Sequence, residues 1–204
     1  MLAKTRKHVE DLGVSSWIAL SCMFWYEFSL AVAPSAYGFD IRNKKVTFFD
    51  DGETKVNTST WAQCGHAVAK LFTLPVLPQD ENDKSLCIDH WRNKPVYISS
   101  FMVSQRDMLD SLLRVTGDKE SDWTIKSQPA QERWKEGVDL MESGKDFMRG
   151  FQTRMYARIF YKDGTGDISD KLDNDRLELP EENLDEATKR AVEMVANGYG
   201  YSRH

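Results

Sequence analysis

The stretch Ser16-Trp17-Ile18-Ala19-Leu20 constrains this chain most. It is short and apolar without polar alternation, the pattern of a strand in a parallel sheet with both faces covered. Before it, Lys4 to Leu12 is charged and amphipathic, and Gly13 closes it as a helix stop. The opening therefore reads helix, strand, helix, the αβ half of a crossover unit. Too little chain precedes the strand to cover both of its faces, so the sequence enters as if into the middle of a parallel sheet.

The alternation continues downstream. Val46-Thr47-Phe48-Phe49 and Thr54-Lys55-Val56 flank Asp51-Gly52, which predicts a hairpin over Lys45 to Asn57. Thr60 with Gln63 marks a helix start, with Ala67, Val68, Leu71 and Phe72 as its buried stripe up to the break at Pro75 and Pro78. Pro78 to Asn93 reads as a polar surface loop, and Pro95-Val96-Tyr97-Ile98-Ser99 as a second strand. Ser104 and Asp107 cap a helix whose apolar face is Met108, Leu109, Leu112 and Leu113. From Trp123 onward the reading is mainly helical, over Ala130 to Glu142, Phe147 to Tyr161 and Asp185 to Ala196, with an acidic loop from Asp163 to Asp175. The expected fold is α/β: an incomplete parallel sheet over 1–122 packed with a mainly helical C-terminal region over 123–204.

Charge and composition narrow the function. The net charge of -5 is interspersed, with no basic stripe to neutralise phosphates, so no nucleic-acid partner is expected. Trp17 to Ala33 is interrupted by Tyr26, Glu27 and several hydroxyls and falls short of the roughly 20 apolar residues of a membrane span. The N-terminus lacks a secretory h-region, which places the chain in the cytoplasm. Cys22, Cys64 and Cys87 are widely spaced and His8, His66, His90 and His204 are scattered, so neither a disulfide framework nor a metal site is expected.

The search for chemistry finds few candidates. Gly164-Thr165-Gly166 lacks a third glycine and runs into Asp167 and Asp170, so it reads as a flexible loop and not as a pyrophosphate cradle. Tyr-x-x-x-Lys is absent. Lys4 is the one lysine beside a strand end that could face a cofactor, though on spacing alone it reads more readily as a solvated N-terminal lysine. Phe24-Trp25-Tyr26-Glu27-Phe28 follows the buried strand directly, where ligands collect in open α/β sheets. Its rings also suit a plain core.

Ser15 to Leu20 followed by Phe24-Trp25-Tyr26-Glu27-Phe28-Ser29-Leu30 resembles the strand and switch-point loop of fungal NmrA-like, isoflavone-reductase-like proteins. Tyr37-Gly38-Phe39-Asp40, Asn57-Thr58-Ser59-Thr60, Asn93 to Ser100 and Leu184-Asp185-Glu186-Ala187-Thr188 fall in the same order as comparable segments. The resemblance implies a partial Rossmann-type parallel sheet with a mainly helical C-terminal substrate domain, and an NAD(P)H-dependent oxidoreductase with NADP(H) as cofactor and a small organic molecule as substrate. It implies Lys4 as the proton-transfer lysine, Cys22, Met23 and Phe24 at the nicotinamide, and Trp25, Tyr26 and Phe28 along the substrate pocket, the Tyr26 hydroxyl fixing a polar group. The family's glycine-rich βαβ unit has no counterpart before the first strand. The chain is therefore expected to be truncated and to bind dinucleotide weakly or not at all. A non-catalytic dinucleotide-sensing regulatory or interaction protein, self-associating through an exposed sheet edge, is the alternative, and an incomplete gene model a third.

Overall fold

The structure is a computed structural model and describes residues 2–199. The first half of the chain forms α1 (Leu2–Asp11), β1 (Ile18–Ser21), β2 (Phe24–Trp25), α2 (Tyr26–Ala31), β3 (Phe39–Asp40), β4 (Lys45–Phe49), β5 (Val56–Ser59), α3 (Trp61–Thr73) and β6 (Lys94–Tyr97). The second half forms β7 (Phe101–Val103), α4 (Gln105–Thr116), β8 (Thr124–Gln128), α5 (Ala130–Glu142), α6 (Phe147–Ile159) and α7 (Leu184–Ala196).

The strands expected at Ser16 to Leu20 and Pro95 to Ser99 are partners. β1 and β6 run parallel, with Ile18 opposite Lys94 and Ser21 opposite Tyr97. The expectation of cover on both faces of β1 is corrected, because every residue of that strand is half-buried. Ile18 and Leu20 pack toward a small core of Ala67, Trp91, Val96, Ile98 and Leu177, which covers one face. The fully buried strand is instead β5, Val56-Asn57-Thr58-Ser59, paired in parallel with β2 and antiparallel with β7.

A polar strand can be buried only if its side chains find partners. Asn57 Nδ2 donates to Ser99 Oγ at 3.1 Å, while its Oδ1 accepts from the Ile168 backbone N–H at 2.7 Å. Thr58 Oγ1 donates to the Phe24 carbonyl at 2.7 Å, and Ser59 Oγ to that of Ile98 at 3.3 Å.

The expected hairpin does not form. β4 and β5 belong to different sheets, β4 pairing antiparallel with β3 and parallel with β8. Positive φ at Asp50 (54°) and Gly52 (75°) does make a tight turn. That turn redirects the chain between sheets: the Asp50 N–H bonds the Gln128 carbonyl, extending the β4 and β8 ladder. β8 is also a strand within the region read as mainly helical. Its sequence, Thr-Ile-Lys-Ser-Gln, carries one apolar side chain and shows no strand pattern.

Helix starts are placed as expected. Thr60 caps α3, and Ser104 with Asp107 forms a complete capping box on α4. The stripe predicted for α3 is partly wrong: Ala67 is buried, but Val68 is 39% and Phe72 82% exposed. Cys87 and Trp91 are buried, so the Pro78 to Asn93 loop is anchored and not simply a surface loop. His8 and His66 are exposed on helices and His90 sits edge-on to Trp91, while His204 lies outside the described residues. α7 lies against α2 and α4, and α5 against α6, completing the large core.

Candidate functional site

The site grows from the turn that ends β1. Met23 has φ of 53°, a left-handed conformation uncommon for any residue but glycine, and it switches the chain from the first sheet into β2. Trp25 caps α2, whose helical period then sorts the aromatics. Tyr26 and Leu30 turn into the core, while Trp25 stays 45% exposed. The expectation that Tyr26 lines a pocket is corrected by this sorting. Its ring is fully buried, and its hydroxyl lies 2.7 Å from Thr188 Oγ1 on α7.

Phe24 is half-buried and packs on Tyr156, their centroids 4.1 Å apart. Phe28 is half-buried with its ring edge-on to Tyr199 at 6.1 Å, and Trp25 meets Trp61 at 6.4 Å. Lys4 is exposed on α1. Cys22 lies half-buried just after β1, its S–H facing the Met23 carbonyl at 3.8 Å. The neighbouring Cys64 thiol brings the Cys22 thiol down to about 7, against the opposing effect of burial.

Beside this turn is a groove of about 630 Å³ lined by Glu27, Trp61, Arg190, Met194 and Tyr199 among others. Of the segment Phe24 to Phe28, Glu27 alone lines it, with Trp25 and Phe28 touching its aromatic walls. The floor carries an ion pair. Arg190 donates to Glu27 Oε1 from Nη2 at 3.0 Å and from Nε at 3.1 Å. The Trp61 backbone N–H, at the start of α3, donates to Glu27 Oε2 at 3.4 Å. A second groove of about 640 Å³ is lined by residues of α5, α6 and the turn after it, including Trp134, Phe151 and Arg158.

Sequence reasoning passed over Glu27, Trp61, Arg190 and Tyr199. Glu27 did carry a signal, an acid inside the most apolar run and within the aromatic cluster that follows β1, but no role fell to it there. Arg190 sits among the other charges of α7 and carries none.

A dinucleotide requires backbone N–H groups aimed at its phosphates. Gly164 to Gly166 does not supply them. The Gly166 carbonyl accepts from the Asn57 N–H at 2.8 Å, and a Cβ on Gly166 would sit 2.4 Å from the Ile159 carbonyl oxygen. That glycine is a buried packing position, which corrects its reading as part of a flexible loop, and Asp163 and Asp167 cap the loop's own N–H groups. The Gly164 to Gly166 loop thus does not fit the phosphate end of such a cofactor. Among the described residues no group of three or more His, Cys, Asp or Glu side chains is placed to hold a metal, and no helix is long and apolar enough to cross a membrane.

No family model and no curated protein matches the sequence. Solved structures do match. The chain is similar to an NADPH-dependent quinone oxidoreductase from Escherichia coli complexed with NADPH, at 15% identity and a TM-score of 0.56, over 93% of this chain and 58% of that one. It is similar to isoflavone reductase at 15% identity and a TM-score of 0.59, over 92% of this chain and 56% of that one. It is also similar to AtPrR2 with NADP+ and (+)pinoresinol, at 16% identity and a TM-score of 0.60, over 92% of this chain and 55% of that one. The chain thus spans little more than half the length of these proteins, and over that span it has the α/β fold of the isoflavone-reductase-like, NAD(P)-binding reductases.

Proposed function

We propose that this chain is the substrate-facing portion of an NmrA-like, isoflavone-reductase-like NAD(P)H-dependent oxidoreductase, and that the Glu27, Trp61, Arg190 and Tyr199 groove receives a small aromatic molecule. The observation that carries the reading is the charged floor beneath aromatic walls, beside the turn that ends β1. Exposed rings at Trp25, Trp61 and Tyr199 favour a flat apolar body. The Arg190 guanidinium, half in solvent, can turn a donor toward a phenol or carbonyl oxygen.

Cys22, Met23 and Phe24 are the residues we assign to the nicotinamide side, and Lys4 to proton transfer, both on the resemblance. Hydride chemistry belongs to the dinucleotide, and because the Gly164 to Gly166 loop offers no cradle for its phosphates, NADP(H) binding by this chain alone is proposed to be weak or absent. A cytoplasmic location accords with this reading. Titration of tryptophan fluorescence tests it: pinoresinol gives saturable quenching that Tyr199→Ala weakens, and NADPH gives none. Unsaturable quenching by pinoresinol would remove the groove assignment, and micromolar NADPH affinity would remove the claim about the cofactor.

The β1 edge supports self-association, since β1 has no second strand partner among the described residues, whereas the outer edge of β6 is held at Tyr97 by Asp173. Sedimentation velocity decides this, with a monomer at all concentrations counting against it.

A further inference from the structure

The two-residue period of a strand puts Cys22 in line with Ile18 and Leu20 on one face of the chain leaving β1. Helical spacing puts Cys64, Ala67 and Leu71 on one stripe of α3. These two surfaces meet over the same small core, where Ile18, Leu20, Cys22, Cys64 and Leu71 all pack around Ala67, Val96 and Ile98. Cys22 and Cys64 are neighbours at the edge of that shared core, each acting on the other's thiol, with Trp25 beside both. Both cysteines are free and half-buried, within reach of a small solute, while Cys87 is buried elsewhere.

We propose that Cys22 and Cys64 are a redox-active dithiol, closed to a disulfide by a peroxide and reopened by a small thiol. This does not depend on the reductase reading.

The surroundings divide the roles. With the Cys64 thiol beside it, Cys22 is the thiol that ionises near neutral pH. Cys64 is pushed the other way, by the neighbouring Cys22 thiol, by burial and by the nearby Glu27 carboxylate, so it keeps its proton while Cys22 is charged. In the neutral pair the Cys22 S–H faces the Met23 carbonyl at 3.8 Å, a weak contact that is given up on ionisation. The Cys22 thiolate attacks one peroxide oxygen and the O–O bond breaks. The leaving oxygen takes up a proton and departs as water or an alcohol, leaving Cys22 as a sulfenic acid. Cys64 sulfur then attacks Cys22 sulfur, the S–O bond breaks, and the sulfenic oxygen leaves as water with the Cys64 proton. Two thiols lose two electrons and the peroxide gains them. Two equivalents of a small thiol reverse the step by exchange and become its disulfide.

The test is peroxide treatment of the purified chain, thiol counting after denaturation, and mass mapping of a non-reduced tryptic digest. The chain's three cysteines fall in separate peptides, residues 8–42, 56–70 and 85–92. The expected result is loss of two thiols and a cross-linked 8–42/56–70 species two hydrogens lighter than its parts, restored by dithiothreitol. Cys22→Ser slows thiol loss by on the order of tenfold, Cys64→Ser stops Cys22 at the sulfenic stage, trapped by dimedone, and Cys87→Ser changes nothing. Circular dichroism checks that each variant is folded. Three surviving thiols, a cross-link involving Cys87, or over-oxidation of Cys22 without the cross-link would each overturn the proposal.

Discussion

Tyr26 Oη and Thr188 Oγ1 lie 2.7 Å apart in the core and join α2 to α7. The contact continues outward, since the Ser111 hydroxyl is 2.7 Å from both Thr188 Oγ1 and Asp185 Oδ1. Asp185 in turn is held by Arg114 at 2.7 Å. A residue that looks like a pocket tyrosine in the sequence is thus the inner end of a chain of hydrogen bonds that ends in solvent.

Tyr26→Phe therefore acts on stability and not on ligand handling. Thr188 keeps Ser111, so the loss is one buried hydrogen bond, about 1 kcal/mol in urea denaturation. Binding of an aromatic ligand in the groove stays unchanged. A weaker ligand with unchanged stability would restore the pocket role.

Gln105 is the buried amide that holds the sheet around β4 to the helix α4. Its Oε1 accepts from the Phe49 N–H at 2.6 Å, and its Nε2 donates to the carbonyls of Tyr37 at 2.7 Å and Thr47 at 3.0 Å. Gln105→Leu fills the space but strands three backbone groups. The expected cost is about 3 kcal/mol in the same denaturation, with Gln105→Glu also destabilising because the acid lacks the donor.

Three phenols set an alkaline limit. Burial pushes Tyr156 up to about 12, and Tyr26 and Tyr37 further, from the ordinary value of 10.0. Each folded value lies above the unfolded one, so the neutral form is favoured in the fold. The stabilisation is complete below pH 10 and is lost as pH rises from there through about 12. Tyrosinate absorbance should accordingly appear in two stages, exposed phenols first and the buried three together with loss of circular dichroism. A single smooth titration with the fold intact would contradict this.

Much of the architecture was legible because local signals and tertiary needs agreed. The caps at Thr60 and Ser104, the α5 span and the pairing-competent runs of β1 and β6 are all set by short-range chemistry. The failures fall where partners distant in sequence decide. β5 is buried although polar, because Ser99, Ile168 and Tyr37 satisfy its side chains. β8 is a strand because β4 offers it a parallel edge, not because Thr-Ile-Lys-Ser-Gln prefers one. The site followed the same rule: the aromatic cluster was visible, but which ring faces outward depended on where α2 begins. Arg190 became part of it only through α7.

Arg190→Ala is expected to separate the two contributions of the groove's ion pair. The Glu27 side chain is 3% exposed and that of Arg190 45%, so removing the arginine leaves a buried carboxylate with only the Trp61 N–H as a donor. Breaking a fully buried pair costs more, but solvent reaches this guanidinium, and the expected loss is about 2 kcal/mol. Glu27→Gln keeps the shape and an oxygen that can still accept from Arg190 or Trp61, and should cost about 1 kcal/mol. In the double variant no charge is left stranded, so its loss should fall below the sum of the two singles, a coupling that urea denaturation of all four proteins measures. Ligand binding distinguishes the second contribution. If Arg190 also turns a donor into the groove, pinoresinol quenching should weaken in Arg190→Ala but persist in Glu27→Gln, where the guanidinium remains. Equal weakening in both would mean that the pair shapes the groove without touching what enters it. Strictly additive stabilities would mean that the Arg190 and Glu27 contact contributes nothing to holding α7 against α2.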